Sequence, residues 1–187
     1  MRSLVCRVAV AVAAIIVAPG PVVAKDEIDA DCAKFAMALQ YTPLFVGNGL
    51  LCHTSFDHFG PVEIIEARGR HNFTFLRHVA GDDGTSLLPD DLEYVTDRTD
   101  FFRATEQWGE TVRRGEFETR AFGGVPQDSR PKGFECVAFS RYSGEGAEPG
   151  TFRHELFGLF CFEASKGPVP MSGDLIEDFL TRIRLEF

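Results

Sequence analysis

The densest run of chemically capable side chains is Cys52-His53-Thr54-Ser55-Phe56-Asp57-His58. Thiolate, imidazole and carboxylate are the donor types that zinc accepts, and a histidine beside a carboxylate can also serve general acid–base chemistry. The spacing argues against both uses. His53 and His58 are five residues apart, which suits neither one helix face nor one strand face, so only a folded loop would bring them together. Of the five cysteines Cys6 falls in the expected leader, and Cys52 is one of the remaining four and is expected in a disulfide, which removes its thiolate. His53, Asp57 and His58 are the site candidates of this chain, and no catalytic residue, metal or cofactor is assigned.

Other residues of the right type lack the right pattern. His71 and His78 fall in one expected strand but on opposite faces, so they cannot serve one site. His154-Glu155 lacks the second histidine of an HExxH zinc helix. The serines show no G-x-S-x-G elbow, and four paired cysteines leave no spare thiol. Asp82/Asp83 and Asp90/Asp91 flank a polar loop without the spacing of a calcium loop. Glu106, Glu110, Glu116 and Glu118 could supply a carboxylate pair for sugar chemistry, yet carboxylates are abundant in any acidic chain. There is neither a phosphate-cradling loop nor a dinucleotide fingerprint.

The element expected to organise the fold is the stretch Phe134 to Ser165, two apolar strands around a glycine-rich loop centred near residue 148. A symmetrical hairpin about that loop sets Cys136 almost opposite Cys161, close enough for a disulfide. Pairing nearest in sequence then joins Cys32 to Cys52. Phe157, Phe160 and Phe162 occupy both faces of the second strand, so it is either central and covered on each side or lines an apolar cleft. The chain holds 18 phenylalanines against three tyrosines and one tryptophan, and most must be core.

Upstream, Asp26 to Tyr41 carries helical spacing through Ile28, Cys32, Phe35, Ala36 and Leu39, and Pro43 ends it. Val62 to Ala67 and Arg70 to Val79 alternate as a hairpin turning near Arg68-Gly69. Leu92 to Val95 reads as a short strand, and Phe101, Phe102, Thr105 and Trp108 suit a helical face. Thr111 to Phe122 supplies one or two further strands. Ser172 caps a last helix whose apolar stripe runs Leu175, Ile176, Phe179, Leu180 and Ile183. These elements sum to a single α+β domain: an antiparallel sheet of five to seven strands, disulfide-stabilised, with an N-terminal and a C-terminal helix packed on it.

Residues 1–24 read as a signal peptide: Arg2 and Arg7, an apolar run over Val8 to Ala18, and a small-residue cleavage site at Val22-Val23-Ala24. Its removal from the 187 residues leaves a domain over 25–187 and takes the formal charge from −9 to −11. An acidic surface disfavours nucleic acid and anionic membranes as partners. No later segment is long enough for a membrane helix. Even cysteines in an exported chain indicate an oxidising compartment, periplasmic or extracellular. Arginine outnumbers lysine 15 to 4, a bias of GC-rich coding that favours a bacterial periplasm.

The function expected from these features is a non-catalytic binding or accessory protein, contacting a partner protein or carrying a small apolar ligand. The alternative is a periplasmic hydrolase using carboxylates and a histidine of the 53–58 loop. A second alternative is a small outer-membrane β-barrel, raised by the alternating tail Ile183, Leu185, Phe187 and opposed by the helical spacing before it.

Overall fold

The computed structural model describes residues 32–40, 50–57, 59–69, 71–81, 86–127, 133–164 and 171–185. The expected signal peptide and His58 lie outside these. Among the described residues the fold is mostly β: two antiparallel sheets, the larger curled into a half-barrel, and two short helices. This corrects the α+β expectation.

The central pair is β8 (Phe134–Glu145) and β9 (Phe152–Glu163), joined by a tight turn in which Thr151 bonds back to Glu148 and Gly146. Their register sets Cys136 opposite Cys161, and the two are bonded. Every residue of β9 from Glu155 to Cys161 is buried, so the strand is central and covered on both faces. On one side β9 pairs with β4 (Asn72–Ala80), which continues through β3 (Gly60–Arg68) to β2 (Leu50–Asp57). On the other side β8 pairs with β7 (Phe117–Pro126), whose far edge takes both β5 (Phe102–Glu106) and β6 (Thr111–Arg114). The sheet therefore has eight strands and two edges, β2 and β5/β6.

Each face is closed by its own layer. On one, Leu76, Val137, Phe139, Leu156 and Phe160 pack beneath α2 (Gly173–Leu180) and a two-stranded sheet of β1 (Met37–Leu39) and β10 (Ile183–Leu185). On the other, Phe75, Phe122, Phe134, Phe157 and the Cys136–Cys161 bond pack beneath α1 (Leu92–Asp97) and Phe102. Gly158 is needed here for close approach. A Cβ at this position would overlap the Phe139 ring and come within 2.9 Å of Leu76 Cδ2.

Three local expectations are overturned. The described end of the expected N-terminal helix is strand β1, with Met37 and Leu39 buried and Ala38 outward. Pairing with β10 satisfies its backbone, and that tertiary contact overrides the helical spacing. Leu92 to Val95 is helix α1, because Asp91 caps it by accepting from Glu93 N at 2.8 Å. Phe102 to Glu106 is a strand rather than a helical face, paired to β7 through a bulge. The last helix is present, capped by Ser172, but ends at Leu180, so Ile183 continues as β10. Of the alternating tail, Ile183–Leu185 pairs with β1, not with the eight-stranded sheet.

Candidate functional site

Residues Cys52 to Asp57 form strand rather than loop, while His58 lies outside the described residues. Alternation puts Cys52 and His53 on opposite faces of β2. Cys52 faces the core and is bonded to Cys32, so its sulfur is no metal ligand. His53 is exposed, opposite Ile64 of β3. Asp57 closes the strand opposite Gly60. Among the described residues no group of three His, Cys, Asp or Glu is arranged to hold a metal ion.

Two polar clusters that the sequence did not single out lie back to back at the β8–β9 turn end of the central strands. On the α2 face, Glu63 of β3 stands directly opposite His78 of β4 and accepts from its Nδ1–H at 3.0 Å. The same carboxylate accepts Ala36 N–H at 3.0 and 3.1 Å, which anchors the segment entering β1. His78 is buried and stacks on His154 at 5.6 Å. Burial, reinforced by His78 and then by Arg153, lowers the pKa of His154.

On the α1 face, the neighbouring residues of β4 and β9, with Tyr142 of β8, carry the second cluster. Glu155 accepts from Tyr142 Oη–H at 3.1 Å and from Arg77 Nη1 at 3.3 Å. Tyr142 Oη in turn accepts Asp90 N–H at 3.0 Å. Burial raises the Glu155 carboxyl above the usual carboxylate range, with Arg77 pulling against it. Burial first, and then the charge of Glu155, pushes the Tyr142 hydroxyl well above the ordinary phenol value. The principal polar groups bond inward and tie the 86–97 segment to the sheet, which is what a structural latch does. One sequence signal could have found this pair: the register that opposes Cys136 and Cys161 also opposes Tyr142 and Glu155.

The surface feature that points outward is β2 itself. Among the described residues its eight residues pair with β3 on one side only, and from Leu50 to Phe56 there is no Asp, Glu, Lys or Arg. Leu51 is 54 % exposed and Phe56 78 %. The opposite edge is defended as edges usually are: β5 and β6 have five and four residues, a bulge, and the charges Arg103, Glu106, Arg113 and Arg114. A groove of about 280 Å³ beside β5 has a mostly polar lining, with Asp97 accepting from Thr105 Oγ1 at 2.6 Å. No family model, no curated protein and no solved structure matches this chain.

Proposed function

We propose that this chain is a small exported binding protein without catalytic machinery, which takes a partner polypeptide along the open edge of β2. The observation that carries the reading is an eight-residue edge strand that is free of charge from Leu50 to Phe56 and exposes Leu51 and Phe56, in a chain whose other edge is short and charged. Such an edge presents unpaired N–H and C=O groups to which another strand adds, while alternate side chains supply selectivity. The Cys32–Cys52 bond pins β2 from its core side, so little ordering remains to be done on binding. Two disulfides mark an oxidising compartment, and together with the leader over residues 1–24 they favour the periplasm.

The test is a photo-reactive amino acid placed at Phe56 in the exporting cell, with the same probe at Val112 on the opposite edge. Val112 is 44 % exposed and serves as the control. A discrete adduct from position 56 and none from 112 is expected. Absence of any adduct from position 56 would overturn the reading.

A further inference from the structure

We infer that the strand added to β2 is β2 of a second copy, paired antiparallel across a two-fold axis at His53, which joins two eight-stranded sheets into one. The inference rests on the binding reading above and names its partner. A two-fold perpendicular to the sheet preserves the faces, so each residue must oppose one on its own face, and the axis must pass through a residue. Centring on His53 opposes Leu50 to Phe56, Leu51 to Ser55 and Cys52 to Thr54 of the partner copy.

That register answers what a single copy leaves open. Phe56 is the most exposed large apolar side chain among the described residues, and it lies on the α2 face opposite Pro61. Leu50 lies on the same face at the other end of the strand, packed against the rim of the core. Across the axis each Phe56 covers the other copy's Leu50, twice by symmetry, and the apolar layer continues through the seam. The uncharged run keeps like charges out of the seam. Two chains of formal charge −11 without residues 1–24 repel on most approaches, whereas Leu50 to Phe56 carries none of that charge and Asp57 falls beyond the paired residues.

Sedimentation of the purified disulfide-bonded protein tests this. The wild type is expected to be dimeric at micromolar concentration. His53→Lys and His53→Glu each set like charges opposite each other on the axis and should raise the dissociation constant by about tenfold. Mixing these two variants should restore the dimer as a heterodimer. Phe56→Ser should weaken it by roughly a hundredfold, since both apolar pairs are lost, while Val112→Lys leaves it intact. A monomeric wild type, or charge variants that fail to recover on mixing, would overturn the inference. The adduct at position 56 separates this from the reading beneath it. Twice the chain mass supports the two-fold seam, a different polypeptide overturns the seam but keeps the binding reading, and no adduct overturns both.

Discussion

Phe179→Ala is the sharpest test of how the α2 face is held. Phe179 has no exposed surface, stacks on Phe160 with ring centroids 4.1 Å apart at 3°, and meets Phe139 edge-on at 5.7 Å. Truncating a buried phenylalanine costs roughly 3–5 kcal/mol, and aromatic pairs add about 0.5–1.5 kcal/mol beyond burial. The loss should fall in the upper half of that range, about 4–5 kcal/mol. At about 2–4 °C per kcal/mol for a domain of this size, the melting temperature should drop by roughly 8–20 °C. Glu177→Ala is the control on the same helix: its side chain is 62 % exposed and holds Arg114 Nη1 at 2.8 Å. A surface pair of this kind contributes about 0–1 kcal/mol. Denaturant titration should follow Trp108 fluorescence and far-ultraviolet dichroism together. Trp108 stacks on Phe122 on the opposite face, so its signal reports unfolding of the whole domain. Equal midpoints for the two variants would refute the packing argument. A dichroism shift without a fluorescence shift would mean that α2 melts separately and does not hold the sheet.

Gly158→Ala should destabilise by about 1–3 kcal/mol, because the new methyl meets the Phe139 ring and Leu76; an unchanged denaturant midpoint would contradict that contact. Loop lengths of 25 and 20 residues give both disulfides roughly 3–4 kcal/mol of loop entropy, so position must rank them. Cys136 and Cys161 are buried in the centre of the sheet, whereas Cys32 and Cys52 sit at its rim, so paired Cys→Ala changes should lower the midpoint more for 136/161. Peptide mapping that links either rim cysteine to a central one would sink the comparison. Glu155 holds its proton more tightly in the folded than in the unfolded chain, because burial raises its pKa. Its contribution is therefore complete below the usual glutamate pKa, about 4.3, and is lost as pH rises through the raised value. Relative to wild type, Glu155→Gln should gain stability across that window, and parallel stability profiles from acid upward would contradict the burial of this carboxyl.

What the sequence determines by itself is the set of features whose chemistry closes over a short stretch. The β8–β9 hairpin is one, because a glycine-bearing turn sets a register that opposes Cys136 and Cys161. The Ser172 cap and the stripe through Ile176, Phe179 and Leu180 are another, and the Arg68-Gly69 turn between β3 and β4 is a third. The same register carried Tyr142 opposite Glu155, though nothing nearby reveals that Arg77, from a strand distant in sequence, completes the group. Only the tertiary structure decided the rest. Met37–Leu39 is too short to be a strand on its own and becomes one because Ile183–Leu185 offers it a ladder. Leu92–Asp97 is too short for helical periodicity to show, and depends on one capping carboxylate. His78 is buried because β3 brings Glu63 opposite it. β2 exposes one side because β4 pairs onward with β9, which leaves β2 last in order. Strand order is set by which apolar faces must be covered, and local sequence does not encode that choice.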